Sequence, residues 1–265
     1  MKTISIINLK GGVGKTISSI NIAHILYALH GKRVLLIDND KQGNVSKFFN
    51  MYDYEKPSIA NLLTPKKCNI DDVIREWGLG CFHIVPANMT LLSANKEILL
   101  DVSRPQQTRL KRILDGVAQR YDYCIIDNAP DINMSVINAL VASDDVLVPI
   151  KVDKFAFDGL HQLVEQIEDI REFNPTIRLA GCFITMKTRN GVNTQGAAWL
   201  ENKTDYPLFK TSIRKTVKVD ETTFNGKPLW LHSCKSTAAQ DYASLVMEYL
   251  ECVRNGHIEG REIYG

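Results

Sequence analysis

What the chain lacks narrows it first. No apolar stretch in its 265 residues approaches the roughly 18 to 20 residues needed to cross a bilayer, so no membrane-spanning helix is expected. A strand pattern starts almost at Met1, which leaves no room for a signal peptide and makes a cytoplasmic protein the expectation. The six cysteines are scattered without a C-x-x-C pair, and the six histidines show no metal-ligand spacing, so structural thiols are expected rather than a metal centre. Repeats, low-complexity segments and interdomain linkers are absent from the sequence. One domain over residues 1–265, ending in a polar tail at 254–265, is the economical expectation. Hydrophobic residues at 45% and charged residues at 23% are ordinary globular values, which argues against extensive disorder.

What is present begins at Asn8-Leu9-Lys10-Gly11-Gly12-Val13-Gly14-Lys15-Thr16. Apolar Ile4, Ile6 and Ile7 precede it, and a helical pattern runs from Lys15 to Leu29, so the glycines sit at a strand-to-helix turn. That is the setting of a phosphate-binding loop. Gly11, Gly12 and Gly14 let backbone N–H groups converge on a polyphosphate, and the helix N-terminus adds partial positive charge. Lys15 is placed to reach the β- and γ-phosphates and Thr16 to ligate Mg²⁺. Leu9 occupies the position of the first glycine in the usual spacing, and Lys10 is a second lysine five residues ahead of the usual one.

The run Lys10-Gly11-Gly12-Val13-Gly14-Lys15-Thr16 resembles the deviant Walker A motif of the ParA/MinD family of P-loop ATPases, most closely its small Soj-like partition members. The resemblance extends nearly end to end. It implies an ATP-dependent homodimer in which Lys10 reaches the nucleotide held by the partner subunit, with ATP and Mg²⁺ as cofactors. A second strand pattern, Arg33 to Ile37, ends in Asp38-Asn39-Asp40-Lys41-Gln42-Gly43-Asn44, similar to the family's Asp-x-Asp-Pro-Gln-Gly-Asn with Lys41 at the proline. Asp40 is the candidate for orienting the attacking water, and Asp38 supports either Mg²⁺ or the loop. A third run, Tyr123 to Ile126, leads into Asp127-Asn128-Ala129-Pro130 and reads as a Walker B strand whose Asp127 holds the Mg²⁺ shell.

Beyond these motifs strands and helices alternate, which indicates an α/β P-loop fold with a doubly wound, mostly parallel twisted sheet flanked by helices. Short helices are expected at Ser58 to Leu63 and Asp71 to Trp77, and a strand at Phe82 to Val85. Another helix is expected from near Pro105, burying Leu110, Ile113, Leu114 and Val117. Strands at Val146 to Ile150 and Leu179 to Thr185 follow, with helices at Leu160 to Phe173, Val192 to Asn202 and Thr237 to Val253.

The net charge of +2 is unevenly spread: from Gly181 to Lys235 nine basic residues face four acidic ones. Small ParA proteins carry DNA-backbone contacts after a Thr-Met strand end and in an Ile-Pro-Arg-Asn segment. The corresponding runs here are Ile184-Thr185-Met186-Lys187-Thr188-Arg189 and Ile213-Arg214-Lys215-Thr216-Val217-Lys218. By that resemblance Arg189, Arg214, Lys215 and Lys218 are candidate contacts to nonspecific double-stranded DNA, giving a nucleoid-associated ATP-bound form. A ParB-like centromere-binding protein that stimulates hydrolysis is implied in the same way. Larger ParA proteins place a helix-turn-helix domain before the loop, and the seven residues here lead to no such expectation.

Two alternatives remain from the residues. A MinD-like membrane ATPase needs a basic amphipathic C-terminal helix, whereas Leu245 to Arg254 carries two glutamates and one arginine. An iron–sulfur carrier needs interface cysteines, and Cys124 falls within the Walker B strand.

Overall fold

Val34–Asn39 and Tyr123–Asn128 are buried over nearly their whole lengths, the pattern of parallel strands covered on both faces. With Lys2–Ile6 as β1, these are β2 and β5 of a seven-stranded sheet ordered β3-β4-β2-β5-β1-β6-β7. The others are β3 (Arg75–Glu76), β4 (Phe82–Val85), β6 (Asp145–Lys151) and β7 (Arg178–Thr185). Every pairing is parallel except that of β3 with β4. The computed structural model describes residues 1–64, 68–78, 80, 82–153, 158–188, 191 and 206–255.

The helices among these residues are α1 (Lys15–Ala28), α2 (Asn44–Phe48), α3 (Ile59–Leu63), α4 (Ile70–Val73), α5 (Thr90–Leu100), α6 (Arg109–Asp115), α7 (Met134–Val141), α8 (Asp158–Ile170), α9 (Val217–Asn225), α10 (Leu229–Ser233) and α11 (Thr237–Asn255). Strand alternation sorts them into layers. Ile4, Ile6, Leu36 and Ile125 face α1 and α11. Leu35, Ile37, Cys124 and Ile126 face α3, α5, α6 and α7, while Val146, Val148 and Ile150 pack with α8. Each fully buried Ile or Leu of these layers contributes about 1.5–3 kcal/mol relative to exposure.

The expected α/β sheet is present, with local departures. The helix expected over Asp71 to Trp77 stops at Val73, and Arg75–Glu76 instead pairs antiparallel with β4. Trp77 then packs its ring against Phe49, Phe82 and His24, at centroid distances of 5.0, 5.6 and 5.9 Å. Tertiary packing overrides the local helical pattern there. The helix expected from near Pro105 starts at Arg109, because Asn138 Oδ1 on α7 accepts the backbone N–H groups of Arg109 and Leu110 at 2.8 and 3.1 Å. Helices α2, α5, α7, α9 and α10 were not anticipated, and the one expected at Val192 to Asn202 lies outside the described residues.

Strand order brings the carboxyl ends of β2, β5 and β1 side by side, where ligands bind in open parallel sheets. The register places Asp38 directly opposite Asp127 and Asn39 opposite Asn128. The aspartates therefore face α1, and the asparagines face α7.

Candidate active site

The loop between β1 and α1 is held from both ends. Asn8 donates its side-chain amide to Pro149 O at 2.9 Å and accepts the Lys10 N–H at 2.8 Å. Thr185 at the end of β7 donates to Val13 O at 2.8 Å. Gly14 caps α1 with φ of 88°, the left-handed region, while Met186 and Thr185 lie 3.7–3.9 Å from where a Cβ would stand. Only glycine adopts that turn without strain. At Gly11 and Gly12 a Cβ would meet nothing within 4 Å, so the loop faces open space on the side where phosphates would lie.

Lys15 is buried, and its Nζ donates to Lys10 O at 3.0 Å, folded across its own loop. Burial lowers its pKa, while Asp127, Asp40 and Asp131 act in the opposite direction. The Lys10 ammonium is instead ion-paired with Asp153, beyond the end of β6.

Asp38 and Asp127 are both fully buried. Ser46 donates its Oγ and backbone N–H to Asp38 Oδ2 at 2.6 and 2.8 Å. Thr16 and Ser19 donate to the two oxygens of Asp127 at 2.8 and 2.9 Å. Burial pushes the Asp38 carboxyl up to about 6, against the lowering effect of Ser46. Burial and the neighbouring Asp38 push Asp127 up to about 7. Two such carboxyls facing each other beside a threonine hydroxyl form a hard-oxygen set that a divalent cation would relieve, and Mg²⁺ fits it. Asp40, buried like Lys15, follows the end of β2, where its Oδ1 accepts the Gln42 N–H at 2.9 Å. Lys41 lies 3.9 Å from Asp131, which bridges the two loops after β2 and β5.

The residues Lys10, Gly11, Gly12, Val13, Gly14, Lys15, Thr16, Asp38, Asp40 and Asp127 thus occupy the adjoining ends of three neighbouring strands. The basic candidates are dispersed in their engagements. Arg214 is bound by Asp241 through Nη2–Oδ1 at 2.7 Å and Nε–Oδ2 at 2.9 Å. Lys218 donates to both carboxylate oxygens of Glu221 at 2.9 Å. The Lys215 backbone N–H bonds Lys187 O at 3.0 Å, and its ammonium has no partner among the described residues. Arg189 lies outside the described residues.

Four participants escaped the sequence reading. Ser46 and Ser19 hold the buried aspartates, Asp153 holds Lys10, and Asp241 holds Arg214. Ser19 carried a usable signal, since it lies one helical turn after Lys15 on the face turned to β5. Asp153 and Asp241 are distant in sequence from the lysine and arginine they bind and carried none.

A model of the AAA domain matches residues 1–179. The sporulation initiation inhibitor protein Soj of Bacillus subtilis is 33% identical over 249 residues, covering 93% of this chain and 97% of that protein. The chromosome partitioning protein ParA of Caulobacter vibrioides is 31% identical over 259 residues, covering 96% of each. Among solved structures, cobyrinic acid a,c-diamide synthase from Mycobacterium smegmatis with bound ATP analog and magnesium superposes with a TM-score of 0.83 at 25% identity, covering 97% of this chain and 98% of that one. Matching a family model over more than half its length, and Soj and ParA over nearly all of it, the chain belongs to the ParA/MinD family of P-loop ATPases.

Proposed function

We propose that the chain is a partition ATPase that binds ATP with Mg²⁺, closes into a two-fold dimer, binds DNA without regard to sequence, and is released when hydrolysis is stimulated. The observation that carries this reading is the pair of lysines, one buried within its own loop and the other directed outward. Lys15 lies within reach of phosphates bound by its own loop. Lys10 is a third exposed and tied to Asp153 rather than to that centre, as a group that acts on a partner's nucleotide should be. Thr16 and Asp127, with Asp38 behind them, would hold Mg²⁺, which neutralises charge on the β- and γ-phosphates. Asp40, in the loop after β2, orients water for attack.

ATP and dimerisation form one linked equilibrium, because a ligand that favours the dimer shifts the population toward it. In the dimer two basic strips containing Arg189, Lys215 and Lys218 become one bivalent footprint, so DNA affinity follows the nucleotide. With no base-reading element assigned, the contacts are to phosphate and the binding is nonspecific. A ParB-like centromere-bound partner supplies the stimulus for hydrolysis, which is slow without it. The protein is cytoplasmic and joins the nucleoid when ATP-bound. Among the described residues no helix is long and apolar enough to cross a membrane.

The test uses Asp40→Ala protein, random-sequence duplex, and ATP, ADP or no nucleotide at about 50 and 200 mM salt. ATP-dependent, salt-sensitive binding is expected. ATP uptake without DNA binding in any state would reject DNA as the matrix.

A further inference from the structure

A narrow cavity of about 90 Å³ opens between Gly14 and Ile17 on one side and the segment 213–220 on the other. It begins where the phosphate loop ends, so a nucleotide whose phosphates occupy residues 11–16 delivers its base here; the inference rests on that nucleotide reading. Ile17 and Val219 give the cavity apolar walls, while the cations Arg214 and Lys215 and the anion Asp220 line it with both signs of charge. Asp241 fixes the Arg214 guanidinium through Nε and Nη2 and leaves Nη1 uncommitted among the described residues. The Asp220 backbone carbonyl accepts from Thr223 Oγ1, but its carboxylate has no partner among the described residues. Neighbouring Lys218 pairs with Glu221 and makes no side-chain contact with it among the described residues.

We infer that Asp220 and Arg214 make this a base site that accepts guanine as well as adenine, so that the chain binds GTP alongside ATP. A carboxylate only accepts hydrogen bonds. Adenine offers it one amino group beside a ring nitrogen whose lone pair repels it, whereas guanine offers N1–H and N2–H₂ side by side. Guanine also turns O6 and N7 toward a donor, the pairing that arginine makes with this base. The arrangement is therefore complementary to guanine on two edges and to adenine on one. As a first-turn acid Asp220 also suits the α9 dipole, but that role is indifferent to the identity of the base.

The experiment is displacement of a fluorescent ATP analogue by unlabelled ATP and GTP from the full chain and from Asp220→Ala and Asp220→Asn. Wild-type GTP affinity within about tenfold of ATP is expected, and both variants should shift the ATP-to-GTP ratio by about 10- to 100-fold against GTP, the worth of one paired base edge. GTP weaker than ATP by more than about 100-fold in the wild type, a gap a site built to read adenine would give, overturns the inference and leaves the ATPase reading intact. An unchanged ratio in both variants overturns the role of Asp220. Failure of both nucleotides to bind wild-type protein overturns the nucleotide reading and this inference with it.

Discussion

The Lys10 ammonium is ion-paired with the Asp153 carboxylate, each side chain about one-third exposed. This contact ties the outer lysine of the phosphate loop to the chain just beyond β6. Reaching a second subunit requires it to break.

Removing the tie should favour association. A partly exposed ion pair contributes only about 0.2–1 kcal/mol, so Asp153→Asn should lower the ATP concentration at half-maximal dimer formation by no more than about fivefold. Lys10→Ala should abolish ATP-dependent dimerisation and turnover. Sedimentation across an ATP titration measures both, and a weaker dimer in Asp153→Asn would assign Asp153 to the closed interface.

Asp40 is separable from the binding apparatus. It caps its own loop through Gln42 and makes no hydrogen bond to the phosphate loop among the described residues. Asp40→Ala should retain ATP and the dimer while turnover falls by about 100-fold or more, the usual scale for loss of a general acid–base or positioning group. Lys15→Ala should lose ATP binding itself. Calorimetry and single-turnover hydrolysis on the same samples distinguish the two phenotypes, and normal turnover by Asp40→Ala would refute the water-positioning role.

The cations after β7 should separate into two classes. Lys215, with its ammonium unengaged among the described residues, should lower the slope of log affinity against log salt by about 0.9 per protomer when changed to alanine. Arg214 is bound to Asp241 while remaining about half exposed. Arg214→Ala should therefore lower stability by up to about 1 kcal/mol and alter the DNA salt slope less than Lys215→Ala. Denaturant melts and salt titrations in parallel check the assignment, which fails if Arg214→Ala has the larger effect on slope.

Acid should find a weak point at His24. This residue is 4% exposed, its Nδ1 lacks a hydrogen-bond partner among the described residues, and burial lowers its pKa to about 4. The unfolded imidazole titrates near 6.5, so the unfolded state takes up the proton first as pH falls. Stability from the neutral ring is complete above about 6.5 and is lost between about 6.5 and 4, a loss on the order of 3 kcal/mol. His24→Leu should flatten that part of the stability–pH curve. An unchanged slope in urea melts between pH 7 and 4.5 would place the acid sensitivity elsewhere.

The parts of the fold legible in sequence were those fixed by local pattern. The loop from Lys10 to Thr16 has its own glycine chemistry, and the runs ending at Asp38 and Asp127 are long enough to read as buried strands. Trp77 was misread because its conformation is set by Phe49 and Phe82 across the fold. The start of α6 was misread for the same kind of reason, its cap coming from Asn138 on another helix. Within the site, residue types gave the nucleotide chemistry, while the partners of Lys10 and Arg214 are set by packing between distant elements.

Both central strands end in the same dipeptide, Asp38-Asn39 on β2 and Asp127-Asn128 on β5, aligned like with like. On the far face Asn39 donates to Asn128 Oδ1 at 2.8 Å and Asn128 donates to Ser5 Oγ at 3.2 Å. A slip of one residue would turn the acids toward α7, deprive them of Ser46, Thr16 and Ser19, and bury the amides against α1. The identical endings thus set the register energetically: pairing β2 with β5 one residue out of step carries a heavy desolvation cost. A correctly closed sheet has, in the same step, assembled the oxygen cluster at the nucleotide site.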